Sequence, residues 1–403
     1  MTNTGYTPEE PIAAIATALA PGAIGIVRAS GKNCIELAAK FFSRPKALLS
    51  AAPNTIVYGW IKDPARAEQD CRVDEVMAAV YRAPKSFTGE DMIEIFCHGG
   101  VSVVRAVFAL FLRNGFRRAE RGEFTFRAYI NGRTDLTRAE AVREIIESKT
   151  DISRTKAAAR LSGTLTSEIA SVKKLVVDTL ASIEVEIEYP EDEENISDTF
   201  DPSDLNEARQ KLMRLSDSWK SEKLYQDGAR VVLCGKTNAG KSSLFNSLLK
   251  EDRAIVSDIE GTTRDWLESW ADFDGIPVRL FDTAGLRSTS DEIEAKGVEL
   301  AKDLSSEADV LLYLVDSRTG LSSDDTEFLK AQNDIPVILV WNKCDSPQSK
   351  PVPKNDGSLY AECASVSAKR GDGVGELAAL VRKILLAGTS SQSGITGLGS
   401  ERQ

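Results

Sequence analysis

The sequence predicts a multidomain fold, in which an α+β domain and an α-helical central domain precede an α/β domain along 403 residues. Three observations predict it. Strand-like and helix-like runs are mixed before residue 125. Apolar residues then recur at helical spacing from Leu136 to Ile187. After residue 225, apolar runs each end in a polar loop, a pattern typical of buried parallel strands.

Each domain has its own expected elements. In the first, turn-flanked β-type runs predict strands at 11–15, 25–28, 55–60, 73–81 and 92–96, and helical spacing predicts helices at 33–42 and 101–114. In the second, two long helices are expected between 136 and 187, and a further helix at 201–223. We place the domains at 1–125, 126–224 and 225–388, followed by a polar, linker-like tail at 389–403.

Composition is that of a protein expected to stay in the cytoplasm and away from membranes. There is no apolar run of 18 residues, and the six cysteines lack zinc spacing, so free thiols in a reducing compartment are expected. The formal net charge of −11 shows no overall bias toward nucleic acid. A local arginine-rich stretch at 113–138 is either a modest RNA face or a solvated surface.

A strand, loop and helix between Arg230 and Leu249 predict a phosphate-binding loop. The loop has the spacing G-x-x-x-x-G-K-S from Gly235 to Ser242. Its glycines let the backbone N–H groups turn inward, and the following helix adds the positive end of its dipole. Lys241 is expected to reach the β- and γ-phosphates, and the Ser242 hydroxyl to bind Mg²⁺.

Three later motifs predict that the nucleotide is GTP. Asp282 follows a strand and is expected to hold Mg²⁺ through water, with the Gly285 N–H facing the γ-phosphate. Asp345 ends an Asn-Lys-x-Asp motif, and its carboxylate can accept hydrogen bonds from guanine N1 and N2. Adenine cannot supply both, so a buried carboxylate would be left unsatisfied. The Ser-Ala-Lys sequence at 367–369 is expected to bind guanine O6 through its backbone.

A polar loop between the first two motifs provides the expected switch. Thr263 should bind Mg²⁺ only when the γ-phosphate is present. Leu286 occupies the position that holds a water-orienting glutamine in Ras-like GTPases, so another group must orient the attacking water. We therefore predict a Ras-like P-loop G domain. Its expected nucleotide contacts are Asn238, Ala239, Gly240, Lys241, Ser242, Ser243, Ser257, Thr262, Thr263, Asp282, Thr283, Ala284, Gly285, Asn342, Lys343, Asp345, Ser367, Ala368 and Lys369.

These motifs, with Gly261-Thr262-Thr263-Arg264-Asp265 and the acidic stretch at 290–294, resemble the MnmE (TrmE) family of tRNA modification GTPases over about residues 10–388. The resemblance implies a catalytic set of Glu294, Lys241 and Thr263, in which Glu294 positions the water. It implies a K⁺ ion held by Asn238, Ser257, Ile259 and Thr262, and Mg²⁺ held by Ser242 and Thr263.

Segments at 23–31, 89–94 and 122–136 resemble the N-terminal domain of the same family. That likeness implies dimerisation and binding of formyl- or methylene-tetrahydrofolate through Arg28, Glu94 and Arg133. Arg133 is usually lysine in the family, and a planar fork replaces a point charge there. The family also implies modification of the wobble uridine of tRNA to 5-carboxymethylaminomethyl or aminomethyl uridine, together with MnmG, a partner that holds FAD.

The C-terminal end departs from the family pattern. Members continue with further helical residues that complete the helical domain and end in Cys-x-Gly-Lys, and this sequence has neither after residue 388. It is expected to be either a truncated form or a protein that has lost them. Two alternatives therefore stand beside the modification enzyme: a ribosome-assembly GTP switch like Era or Der, and a chain that binds GTP and folate but modifies nothing.

Overall fold

A computed structural model describes residues 10–67, 71–188, 202–250, 254–255, 267–282, 308–332, 335–353 and 359–387. The chain divides into two compact units, Met1–Ala139 and Glu140–Gln403. The domain boundaries expected at 125, 224 and 388 stay predictions. Within the described part of the chain, no helix is both long and apolar enough to cross a membrane. All six cysteines are free, as predicted.

The first unit is a mixed sheet with helices. Its strands are β1 (Ile12–Ile15), β2 (Ile24–Ser30), β3 (Thr55–Lys62), β4 (Arg72–Tyr81), β5 (Met92–His98) and β6 (Arg117–Arg118). Among the described residues they pair in the order β3-β4-β5-β2-β1-β6. The helices are α1 (Cys34–Ala39), α2 (Pro45–Leu49), α3 (Val101–Arg113) and α4 (Glu123–Ile130). The five predicted strands and the long helix α3 are confirmed.

Helix α1 is shorter than predicted, and tertiary packing explains the difference. The helical spacing continues to Phe42, but the chain leaves the helix after Ala39. Phe42 then forms an isolated bridge with Ile61 of β3 and is 4% exposed. Burying the aromatic ring against the sheet therefore replaces the last helical turn.

Arg127 of α4 is a buried cation with two carboxylate partners. Its side chain is fully buried, and its Nη1 and Nη2 lie 3.0 Å from Glu90 Oε2 and from Glu123 Oε1. Since a desolvated guanidinium is costly unless it is paired, these two acids are what allow it to be buried. Other arginines of the 113–138 stretch are also ion-paired, namely Arg113, Arg117 and Arg138. Much of the charge that suggested an RNA face is therefore neutralised within the protein.

Four helices follow: α5 (Leu136–Glu147), α6 (Asp151–Ser162), α7 (Thr164–Glu188) and α8 (Ser203–Asp227). The prediction of two long helices between 136 and 187 is wrong, because the structure has three. Thr150 caps α6 by accepting a hydrogen bond from Ser153 N, and Gly163 ends it in the left-handed conformation with φ 97°. Thr150 is a local start signal and Gly163 a local stop signal, and the apolar periodicity concealed both.

The second unit holds a larger sheet. Its strands are β7 (Ala229–Gly235), β8 (Ala254–Ile255), β9 (Leu267–Phe273), β10 (Ile276–Asp282), β11 (Val310–Asp316), β12 (Val337–Asn342) and β13 (Glu362–Val366). In the described residues the order is β13-β12-β11-β7-β10-β9-β8. Strands β10, β7, β11, β12 and β13 are parallel, and β9 and β8 are antiparallel to their neighbours. The helices are α9 (Lys241–Leu248), α10 (Ser323–Lys330) and α11 (Val374–Ala387).

Both faces of this sheet are covered, as the continuous apolar strands predict. Val231 and Leu233 of β7 lie in one core with α9 and α11. Val232 and Cys234 lie in the other core with Leu329 of α10. Because the five parallel strands run the same way, their carboxyl ends meet at one edge of the sheet, where open α/β folds bind ligands.

Candidate nucleotide-binding site

The predicted phosphate loop lies at this edge, between β7 and α9. Gly235 and Gly240 have φ 133° and 101°, so both lie in the left-handed region that favours glycine. A Cβ atom on Gly240 would also overlap the side-chain amide of Asn342. Gly240 is the residue before the first turn of α9, so the positive end of the helix dipole faces the loop.

Lys241 begins α9, and its side chain closes back over the loop. It is 8% exposed, and its ammonium donates hydrogen bonds to Gly235 O (2.7 Å) and Lys236 O (3.0 Å). Ser242 and Ser243 follow on the exposed side of the first helical turn. This arrangement places a cation and two hydroxyl groups at the phosphate loop, as the motif predicts.

Asn342 joins three predicted motifs. Its side chain is 1% exposed and donates through Nδ2 to Ala239 O of the phosphate loop (2.7 Å). Its Oδ1 accepts from the backbone N–H groups of Lys343 (2.8 Å) and Ala368 (3.1 Å). One buried amide therefore connects the phosphate loop with both of the segments predicted to bind guanine.

Asp345 and Ser367 lie together beside this junction. A hydrogen bond from the Ser367 hydroxyl lowers the pKa of Asp345, so its carboxylate is ionised at neutral pH and can accept hydrogen bonds. Arg370 Nε lies 3.6 Å from Asp345 Oδ2. Lys369 is exposed next to them. The structure therefore brings the Asn-Lys-x-Asp and Ser-Ala-Lys segments to one place.

Asp282 is the last residue of β10 and is fully buried. In the parallel pairing of β10 with β7, it lies opposite Leu233. Within the described residues, no group of three or more His, Cys, Asp and Glu side chains could hold a metal ion. A site made of one hydroxyl, one nearby carboxylate, water and phosphate oxygens suits Mg²⁺, which keeps several waters. The donor set of Ser242 and Asp282 fits that ion.

Several predicted site residues lie outside the described part of the chain. They are Ser257, Ile259, Thr262, Thr263, Thr283, Ala284, Gly285, Leu286 and Glu294. Their roles in binding Mg²⁺, K⁺ and the attacking water stay predictions. The linker-like tail at 389–403 lies outside the described residues as well.

In the first unit, two of the three predicted folate contacts meet. Arg28 and Glu94 are directly opposite each other on β2 and β5, with Arg28 Nη2 2.6 Å from Glu94 Oε1. The guanidinium of Arg28 also lies 5.6 Å from the ring centre of Phe87 and 5.7 Å from that of Phe124. Tyr81 donates a hydrogen bond to Glu94 Oε2 at 3.2 Å.

Arg133 lies in the loop between α4 and α5. Its Cγ is 3.2 Å from the position that a Cβ atom on Gly89 would take, two residues after Phe87. The structure therefore places Arg133 beside the loop that carries Phe87, and shows no direct contact of Arg133 with Glu94 in the described residues. Sequence reasoning missed Tyr81, Phe87 and Phe124, although Phe124 lies inside a segment already singled out.

Comparison with known proteins gives the family. The model described as "GTP-binding protein TrmE N-terminus" matches residues 11–133, and the model described as "50S ribosome-binding GTPase" matches residues 230–343. A solved structure of Era from Aquifex aeolicus is 26% identical over 41% of this chain and 58% of its own, with a TM-score of 0.30.

Curated relatives match over much more of the chain. A tRNA modification GTPase MnmE of Treponema denticola is 52% identical over 99% of this chain and 86% of its own length. The MnmE proteins of Carboxydothermus hydrogenoformans and Lactobacillus delbrueckii subsp. bulgaricus are 45% and 39% identical. The first match spans 85% of this chain and 74% of the relative, and the second spans 98% of this chain and 85% of the relative. Together with the motifs assembled at the sheet edge, this identity confirms the predicted resemblance: the chain belongs to the MnmE family of tRNA modification GTPases.

Proposed function

We propose that this GTP hydrolase binds guanine nucleotide at the carboxyl edge of the larger sheet and uses the hydrolysis of GTP to GDP and phosphate in tRNA modification. The observation that carries the proposal is the buried Asn342 amide, which joins Ala239 of the phosphate loop to Lys343 and Ala368. A hydrogen-bonded junction of this kind fixes the phosphate and base segments relative to each other before the nucleotide binds, which lowers the entropic cost of binding.

Each part of the nucleotide has a proposed partner. Lys241 neutralises the β- and γ-phosphates, and Ser242 holds Mg²⁺ with Thr263. Asp345 recognises guanine, because its ionised carboxylate can accept from both N1 and N2. When bound, Mg²⁺ and K⁺ supply positive charge beside the phosphates. The K⁺ ligands proposed are Asn238, Ser257, Ile259 and Thr262, and Glu294 is proposed to position the attacking water.

The first unit is proposed to bind formyl- or methylene-tetrahydrofolate. The Arg28–Glu94 pair supports this, because a carboxylate held by an arginine and by Tyr81 can accept hydrogen bonds from a heterocycle's N–H groups. Phe87 and Phe124 offer apolar ring faces beside the pair. Arg133 at the adjacent loop could hold a carboxylate of the ligand.

We further propose that the chain acts in the cytoplasm as a homodimer with an FAD-containing partner of the MnmG type. Its substrate would be the wobble uridine of tRNA, converted to the 5-carboxymethylaminomethyl or aminomethyl form. The names of the curated relatives support the tRNA part of this proposal. Assaying the modification of tRNA by the purified chain together with its partner separates it from a chain that only binds GTP and folate.

Glu294→Ala tests the proposed K⁺-activated mechanism. At equal ionic strength, we expect the unchanged chain to hydrolyse GTP at least about tenfold faster in KCl than in NaCl, because the ion would neutralise transition-state charge. Glu294→Ala should lower the rate in KCl by about 100-fold, because the water would lose its positioning group. The measurement is phosphate release at saturating GTP.

Glu292→Ala is the matched control, since it removes another acid of the same stretch. It should keep both the rate and the preference for K⁺. Equal rates of the unchanged chain in the two salts would contradict K⁺ activation. Equal losses in Glu292→Ala and Glu294→Ala would contradict the role given to Glu294.

A further inference from the structure

Asp316 is a charged residue at the same sheet edge that none of the motifs includes. It ends β11, between β7 and β12, and its side chain is 11% exposed. Its Oδ2 accepts a hydrogen bond from Lys343 Nζ at 2.8 Å and from Arg318 Nη2 at 2.6 Å. The hydrogen bond from Arg318 and that from Lys343 hold the pKa of Asp316 well below its ordinary value. The carboxylate is therefore ionised across the range in which the protein would work.

The Lys343 ammonium joins Asp316 to the phosphate loop. It also donates to Asn238 O at 2.7 Å, and the backbone of Lys343 has φ 65°, supported by the hydrogen bond from its N–H to Asn342 Oδ1. The methylene chain between these fixed ends forms an apolar strip in the motif that carries Asp345. An apolar strip beside a base-recognising carboxylate is suited to the face of a purine ring.

We propose that Asp316 is a positioning residue for guanine-nucleotide binding, which acts by holding the Lys343 ammonium in place beside Asn238 O. The inference rests on the proposed nucleotide site. A lysine side chain has a flexible four-carbon stem, and ordering it costs rotamer entropy. Because Asn238 O and Asp316 Oδ2 both accept from the ammonium, the side chain is already ordered before the nucleotide binds. Without Asp316, Asn238 O alone would hold the ammonium, and the strip would be ordered only when the nucleotide binds.

Asp316→Ala tests the inference through the affinity for GDP, measured with a fluorescent GDP analogue. We expect binding to weaken about tenfold, because one charge-assisted hydrogen bond of the preformed site is lost. KM for GTP should rise by a similar factor while kcat at saturating GTP stays within about threefold. Asp316→Asn should recover most of the affinity, because its amide oxygen still accepts from Lys343.

A double variant separates positioning from an independent effect. If Asp316 acts through Lys343, the combined Asp316→Ala and Lys343→Ala variant binds GDP no more weakly than Lys343→Ala alone. The matched control is Glu362→Ala. Glu362 is a carboxylate of β13, in the same unit, and lies 2.7 Å from the ammonium of Lys383. The control should leave GDP affinity unchanged. Thermal unfolding without nucleotide checks that each variant is folded.

The following results decide between the proposals. Asp316→Ala with affinity within about threefold of the unchanged chain overturns the inference, and so does a double variant whose losses multiply. If the unchanged chain binds GDP and Lys343→Ala is weakened while Asp316→Ala is not, the nucleotide site stands and only the inference fails. If Lys343→Ala binds GDP as tightly as the unchanged chain, the proposed guanine contact of Lys343 fails, and the inference fails with it.

Discussion

Asn342→Ala is expected to weaken GDP and GTP binding by at least about 100-fold, which corresponds to about 2.7 kcal/mol. The substitution removes the buried amide that connects Ala239, Lys343 and Ala368. Each backbone group left buried without its partner costs about 1–3 kcal/mol, and this cost becomes smaller when the segments separate. The phosphate loop and the base-binding segments would then no longer be held in register. Titration with a fluorescent GDP analogue measures the loss.

Asn114→Ala is the control for this effect. Asn114 is a partly buried asparagine of the first unit that donates to Leu110 O at 2.8 Å. Its removal changes a local hydrogen bond and should leave the affinity for GDP unchanged. If Asn342→Ala were folded and bound GDP within about threefold of the unchanged chain, the junction would have no part in binding.

Arg127→Met is expected to lower the free energy of opening of the first unit by about 3–5 kcal/mol. The methionine fills a similar volume but leaves Glu90 and Glu123 without the cation that both of them contact. Glu123 keeps Arg117 at 2.6 Å, but Glu90 loses the guanidinium 3.0 Å away, and a carboxylate that loses its partner in a largely buried place is strongly destabilising. Native-state hydrogen exchange of α4 measures this unit separately, because a multidomain chain has no single free energy of unfolding.

Arg143→Met is the matched control. Its side chain is 78% exposed and pairs with Glu147 at 2.9 Å, one helical turn away. Exposed pairs of this kind contribute about 0.3–0.5 kcal/mol, so the exchange of α4 should hardly change. If both substitutions changed the exchange of α4 by similar amounts, the ion pairs of Arg127 would contribute no more to stability than the ion pair of a surface arginine.

The nucleotide site was predictable from the sequence to the extent that its signals are local. Gly235, Gly240 and Lys241 follow one strand within a short spacing, and Asp345 follows another. Their meeting at one edge follows from the parallel direction of the strands. The hydrogen bonds that join them could not be predicted, because Asn342 is 103 residues from the carbonyl group that it contacts. Asp316 carried the same strand-end signal, but no motif drew attention to it.

The first unit shows the same distinction. The strands that carry Arg28 and Glu94 were predictable, but their pairing across 66 residues depends on the register of β2 with β5. The burial of Arg127 could not be predicted, because arginines are typical of the surface and its partner Glu90 lies 37 residues away. The break at Gly163 was visible in the sequence, yet helical periodicity on both sides concealed it.

Hydrolysis of GTP and of xanthosine triphosphate by Asp345→Asn tests the central claim, recognition of guanine by this carboxylate, most directly. Xanthine carries a carbonyl group where guanine has its N2 amino group, so an asparagine can donate to it while accepting from N1. We predict that the unchanged chain prefers GTP and that Asp345→Asn prefers xanthosine triphosphate. If Asp345→Asn kept the preference for GTP, the base would not be recognised by this residue, and the proposed site would be wrong.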